Sequence, residues 1–170
     1  MSSRLLNGEP FPDLTIETVG GRVVSIPGDF DGSYTVVLFY RGSWCPYCRA
    51  QLSAFSRASS SLAAAGVAIV ALSVDDEATS AALVERLRLN FPVGFGADPH
   101  RIAALTGAYL ADDSSYVQST GFVLGRDGTV LTAVYSSGAI GRLVPEDVAG
   151  LVKYVDAHRD VLQEPAPQRR

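Results

Sequence analysis

The sequence predicts a three-layer α/β/α fold with an N-terminal β-hairpin extension. Three observations point there. Thr35–Tyr40 and Val67–Val74 are continuous β-branched and apolar runs, a helix-length stretch follows each of them, and two late apolar runs flank Arg126-Asp127-Gly128. Unbroken apolar runs fit strands buried on both faces, and parallel strands of that kind need crossover helices. At 170 residues, 47% of them hydrophobic, the chain has the size and apolar content of one domain with a proper core. We read residues 1–162 as that domain. Residues 163–170, rich in proline and ending in two arginines, read as a flexible tail.

Each element follows in order. Asp13–Thr18 and Arg22–Ile26 alternate around Gly20-Gly21 and form the opening hairpin. Thr35–Tyr40 is the first buried strand, and a helix runs from Pro46 to about Ala65, where Gly66 ends it. Val67–Val74 is the second buried strand. Asp75 or Asp76 caps the next helix, which extends to about Leu89 and turns Leu83, Leu87 and Val84 inward. Asn90-Phe91-Pro92 breaks it before a short strand at Val93–Phe95. Asp98-Pro99 supplies an N-cap and a first-turn proline for a helix to about Tyr109. Gly121–Leu124 and Val130–Tyr135 form a hairpin about the Asp-Gly turn, and Glu146–Leu162 closes the chain as a helix with Val148, Leu151, Val152 and Val155 on one face. Hairpin, βαβαβα, hairpin and helix in that order make a thioredoxin-like fold in a long form.

Composition narrows the function. The formal charge is −4, with acids and bases scattered, and no basic stripe is present to neutralise phosphates, so nucleic acid is not an expected partner. No apolar run reaches the ~18–20 residues of a membrane helix. Met1–Leu6 has no extended apolar region of the secretory kind, and Asn7-Gly8-Glu9-Pro10 follows as a turn. If the chain is complete, it stays in the cytoplasm. Thiols there are kept reduced, so a close cysteine pair points to catalysis or metal binding before it points to a structural staple.

The chain has two cysteines, in Cys45-Pro46-Tyr47-Cys48, where a buried strand hands over to a helix. Pro46 lacks an N–H and has φ preset for a first helical turn, which puts Cys45 at or just before the N-cap and Cys48 near N3. Both sulfurs then lie near unpaired N–H groups and the positive end of the helix dipole. That setting favours thiolate and lowers a cysteine pKa below its free value of about 8.5. Arg41, just before the motif, can add a positive charge. The spacing lets the sulfurs reach disulfide distance with little backbone movement. Thiol–disulfide redox chemistry is therefore the primary reading.

Other readings compete at each residue. A zinc site usually needs four ligands and the chain has no further cysteine; His100 and His158 lie far apart and read as surface or cap residues. A metal or cluster shared between two chains is the remaining non-enzymatic alternative. Trp44 can wall the site or simply pack under the loop. Tyr40 can line the mouth, though strand alternation favours the core. Asp75-Asp76-Glu77 can shuttle protons, but helix capping is the better reading. Ser56–Ser61 reads as an exposed helix face. No cofactor and no metal is implied.

Element order and motif together resemble the alkyl hydroperoxide reductase/thiol-specific antioxidant branch of the peroxiredoxins, over about Gly8 to Leu162. Gly8-Glu9-Pro10-Phe11-Pro12-Asp13-Leu14 is similar to that family's opening segment, and Phe39–Cys48 sits where the family carries its peroxidatic loop. Phe91–Asp98 resembles its short strand and Asp turn, and Thr120–Gly128 its late hairpin. The departures are as informative. Against the family's Pro-x-x-x-Thr-x-x-Cys loop, Arg41 takes the proline, Cys45 the threonine and Cys48 the peroxidatic cysteine. The family's peroxide-polarising arginine falls at Ser119, which leaves Arg41 as the one nearby cation, and the cis-proline position of thioredoxins falls at Thr120. Cys-Pro-Tyr-Cys itself is the glutaredoxin form. The chain thus resembles peroxiredoxin-like proteins with a Trp-Cys-Pro-x-Cys loop.

The resemblance implies a thiol-dependent antioxidant peroxidase whose cysteine pair cycles between dithiol and intramolecular disulfide. An external dithiol donor of thioredoxin, glutaredoxin or low-molecular-weight type would reduce it. Cys45 and Cys48 are the catalytic candidates; Arg41, Trp44, Pro46, Tyr47 and Thr120 are supporting or substrate-binding candidates. The alignment makes Cys48 the attacker. Helix geometry and the glutaredoxin likeness favour Cys45, as the more exposed and more acidic sulfur, for disulfide exchange; for peroxide both assignments stay open. The alternative function is a general thiol–disulfide oxidoreductase with little peroxidase activity. A homodimer and a monomer fit equally.

Overall fold

The computed structural model describes residues 3–159. The opening hairpin pairs β1 (Leu14–Glu17) with β2 (Val23–Ile26), Leu14 opposite Ile26. A separate five-stranded sheet holds β3 (Tyr34–Phe39), β4 (Val67–Leu72), β5 (Val93–Gly94), β6 (Thr120–Leu124) and β7 (Val130–Tyr135) in the order β5-β4-β3-β6-β7. β3, β4 and β5 run parallel, whereas β6 is antiparallel to both β3 and β7. The fully buried patterns of β3 and β6 are what unbroken apolar runs dictate for central strands.

Residues of β3 alternate between two cores. Val36, Leu38 and the following Tyr40 face α1 (Pro46–Ala64), α2 (Glu77–Leu87) and α4 (Pro145–Ala157), where Leu52, Phe55, Leu83, Val148 and Val152 are buried. Val37 and Phe39 face the other way, onto Ile102 of α3 (Pro99–Thr106), Phe11, and Leu14 and Ile16 of the hairpin. One outer layer is thus helical and the other is shared between α3 and the hairpin. Burying a Leu or Phe side chain is worth roughly 1.5–3 kcal/mol, and Leu52 and Phe55 of α1 are fully buried. They anchor the helix that bears the cysteines.

Helix ends follow local chemistry. Asp76, not Asp75, caps α2 by accepting from the Thr79 amide at 2.8 Å. Asp98 caps α3 through the His100 amide at 2.9 Å, with Pro99 in the first turn. α3 stops at Thr106, three residues short of the expected Tyr109, because Gly107 takes φ +77° and closes it. α2 likewise stops at Leu87, with Arg88 left-handed at its C-cap. α4 closes at Ala157, with His158 at its C-cap, short of the expected span to Leu162; Leu162 itself and the tail 163–170 lie outside the described residues. No helix among the described residues is long and apolar enough to cross a membrane.

Candidate active site

β3 ends at Phe39, and the chain turns through residues 40–45 into α1. Cys45 is the N-cap, Pro46 the first helical residue and Cys48 the third, as the proline predicts. The Cys48 amide donates to Cys45 Sγ at 3.3 Å, so the sulfur occupies the place of an N-cap oxygen. The Arg41 amide donates to Cys48 Sγ at 3.4 Å. Both cysteines are free thiols.

Two guanidiniums converge on Cys45. Arg142 Nη2 lies 3.6 Å and Arg41 Nη1 3.9 Å from its sulfur. Arg41 is therefore not the one nearby cation, as the sequence led us to expect; Arg142 reaches closer. It comes from the loop between β7 and α4. There its Nε and Nη2 donate to the Ala139 carbonyl, and its Nη1 donates to Ser119 Oγ at 2.9 Å and Gln51 Oε1 at 3.2 Å. Gln51, one turn beyond Cys48, also donates to the Leu143 carbonyl at 2.9 Å and ties this loop to α1. Within the loop the Ser136 hydroxyl donates to the Gly138 and Ile140 carbonyls.

Electrostatics separate the two thiols. Burial opposes the Cys45 thiolate, but hydrogen bonds from Cys48's thiol and amide, with the charges of Arg142 and Arg41, outweigh it and bring the pKa below that of an ordinary thiol. Burial pushes the Cys48 thiol up, and the adjacent Cys45 adds to that. The more acidic sulfur is the first of the pair, as expected. The exposure expectation is not met: both cysteines show 0% exposure, because the guanidiniums and loop lie over them.

The supporting candidates divide. Trp44 is half-exposed and packs edge-on against Tyr116, ring centroids 5.2 Å apart, with Arg41 over its indole at 4.9 Å. Arg41 Nη2 donates to the Tyr116 hydroxyl at 3.0 Å, which makes Trp44, Tyr116 and Arg41 one wall beside the sulfur. Tyr47 is exposed. Tyr40 is buried in the core, and burial pushes its phenol up. Thr120 opens β6 opposite Phe39, and its hydroxyl turns back to the Gln118 carbonyl at 3.0 Å; the contact with the site is made by its neighbour Ser119 instead. Asp75 accepts from the Ser43 amide at 2.7 Å and so pins the loop. His100 and His158 are exposed, the first in the opening turn of α3 and the second stacked on Tyr154.

Sequence reasoning missed Arg142, Tyr116 and Gln51. Arg142 is 97 residues from Cys45 in a Gly- and Ser-rich loop with no periodicity. Gln51 alone left a signal, a polar residue on the face of α1 that otherwise carries Cys48, Leu52 and Phe55 inward.

Comparisons with known proteins bear on the fold and the family. A family model for the AhpC/TSA family matches residues 7–133. A peroxiredoxin of Chlorobaculum tepidum is 28% identical over 147 residues, covering 83% of this chain and 68% of the relative. A putative peroxiredoxin of Mycobacterium tuberculosis is 29% identical over 150 residues, covering 84% and 92%. Among solved structures, peroxidoxin BcpB of Mycobacterium tuberculosis superposes with a TM-score of 0.75 at 20% identity, over 91% of this chain and 98% of that one. AhpC of Enterococcus faecalis gives 0.73 at 19%, over 99% and 100%. These structures share the fold, and the match over residues 7–133 carries the assignment: the chain belongs to the AhpC/TSA family.

Proposed function

We propose that this protein is a thiol-dependent peroxidase in which Cys45 attacks and Cys48 resolves. Family membership supports peroxide reduction by thiol chemistry. The observation that carries the assignment is the convergence of the Cys48 amide, Arg142 and Arg41 on Cys45 Sγ. The Cys45 thiolate attacks one peroxide oxygen; the O–O bond breaks, an S–O bond forms, and the leaving hydroxide or alkoxide takes a proton. The Cys48 sulfur then attacks the sulfenic acid, forming the S–S bond and releasing water. Arg142 and Arg41 hold the negative charge as it passes from sulfur to the leaving oxygen. Pro46 sets the helix start, and Trp44 and Tyr47 offer the exposed face on which a reductant would dock.

A dithiol donor of thioredoxin type closes the cycle, with glutaredoxin-type and small thiols as alternatives. A cytoplasmic setting, a single domain over residues 1–162 and a possible homodimer complete the reading. The second reading is a general thiol–disulfide oxidoreductase. It is favoured by one observation, that both cysteines share the first turn of a single helix, an arrangement suited to disulfide exchange.

Trp44 is the only tryptophan and adjoins Cys45, so stopped-flow fluorescence separates the readings. A signal from prereduced protein whose rate rises linearly with hydrogen peroxide, and which vanishes in Cys45→Ser, is the expected result. A sluggish response to peroxide with a rapid one to oxidised glutathione would establish the second reading.

A further inference from the structure

We propose that the site selects hydroperoxides that carry a negative charge of their own, recognised jointly by Arg41 and Arg142. The inference rests on the peroxidase reading and names its substrate class. Two guanidiniums face a single sulfur, at 3.9 and 3.6 Å. Against one thiolate they leave one positive charge in excess. Among the described residues neither pairs with a carboxylate; the one ion pair is Arg159–Asp156, at the end of α4. Arg49, the next cation along, spends its Nη1 on the Ser43 carbonyl at 3.0 Å. The nearby acids accept from neutral donors and not from a guanidinium: Asp75 from the Ser43 amide, Asp76 from the Thr79 amide and Asp113 from Ser115.

The excess is local, since the chain as a whole carries −4. Donor capacity is also unspent: the Arg41 Nε is buried with no hydrogen-bond partner. Because Cys45 has no exposed surface, an incoming substrate meets the guanidiniums before it meets the sulfur. Trp44 and Ile140, exposed by 52% and 68%, provide apolar surface nearby for the carbon skeleton. During attack the S–O bond forms, the O–O bond breaks and sulfur's negative charge moves to the leaving alkoxide, which is then protonated. The total anionic charge of the reacting atoms stays at one, so the second guanidinium remains free for a carboxylate on the substrate throughout the step.

The test uses two size-matched probes, cumene hydroperoxide bearing a para-carboxylate and the same compound bearing a para-carboxamide. With the full chain and a dithiol donor, kcat/KM for the carboxylate should exceed that for the amide by about five-fold at low ionic strength and converge to within about two-fold at roughly 0.5 M salt. Arg41→Gln and Arg142→Gln should each bring the ratio towards one. Arg101→Gln, on α3 across the sheet, should leave it in place. Equal rates for both probes in the unaltered protein would overturn the inference while leaving the peroxidase reading intact. So would a ratio that Arg101→Gln lowers as much as Arg142→Gln does, since that is the mark of a general field. Failure to turn over either probe or hydrogen peroxide, with oxidised glutathione still reduced, would overturn the peroxidase reading and this inference together.

Discussion

The Arg142 guanidinium donates to the Ser119 hydroxyl at 2.9 Å, across 23 residues of chain, and reaches Cys45 Sγ with its other terminal nitrogen at 3.6 Å. Ser119 is the position at which the family resemblance leads one to expect an arginine. A short hydroxyl there leaves room for a guanidinium arriving from a different loop and gives it an anchor. In this chain the cation nearest the sulfur comes from the loop between β7 and α4.

Arg142→Gln should therefore raise the pH at which the first thiolate forms, read by the ultraviolet absorbance of the thiolate against pH. The pair titrates in two steps, with Cys45 below and Cys48 above the ordinary thiol value. The sign for stability follows from linkage. A depressed folded pKa at Cys45 contributes stability that is complete above the unfolded thiol value, about 8.5, and is lost as pH falls through the folded value. Urea midpoints of the reduced Cys48→Ser protein should rise with pH across that window, and Arg142→Gln should flatten the rise.

Replacing each cysteine separately assigns the attacker. Cys45→Ser should give no dimedone adduct after peroxide, by mass spectrometry, whereas Cys48→Ser should give one adduct per chain and stop after a single turnover. An adduct in Cys45→Ser but not in Cys48→Ser would reverse the roles and side with the alignment.

Gly42→Ala would press a methyl group onto Trp44 Nε1. Trp44 is half-exposed and can move, so the expected cost, about 1–2 kcal/mol, comes from holding an alanine at φ +159° more than from the clash. The indole should leave its place against Arg41 and Tyr116, seen as a shifted emission maximum in the reduced protein.

Gly107→Ala is the contrasting case. Gly107 sits at φ +77°, and a Cβ there would lie 2.5 Å from the Arg4 Cα and 2.8 Å from the Ser3 carbonyl oxygen. Backbone atoms cannot step aside as an indole can, so a loss of about 1–3 kcal/mol is expected in chemical denaturation. Peroxide turnover of the folded fraction should be unchanged, because α3 packs on the face opposite α1.

What was legible in the sequence is what short-range physics writes there. The unbroken run of β3 predicts a central strand, and Cys45-Pro46 and Asp98-Pro99 predict helix starts, because proline and the capping atom act within one turn. Gly107 is an equally readable helix stop, and it closes α3 three residues before Tyr109. Arg142 and Tyr116 were not legible, since Arg142 reaches Cys45, and Tyr116 reaches Arg41 and Trp44, from segments placed only by tertiary packing. The burial of Cys45 is not legible for the same cause: Arg142 arrives from 97 residues away.

Cys45 and Cys48 share one helical turn, and that sets how the protein meets excess oxidant. A sulfenic acid formed at the first position already has its partner sulfur beside it, with no element to unwind before the two can join. A second peroxide must outrun that short approach to drive the sulfur on to the sulfinic state, from which ordinary thiols do not recover it. The arrangement trades a detectable, lingering oxidised intermediate for endurance, so the protein should keep working at peroxide loads that inactivate a peroxidase whose two sulfurs lie on separate elements.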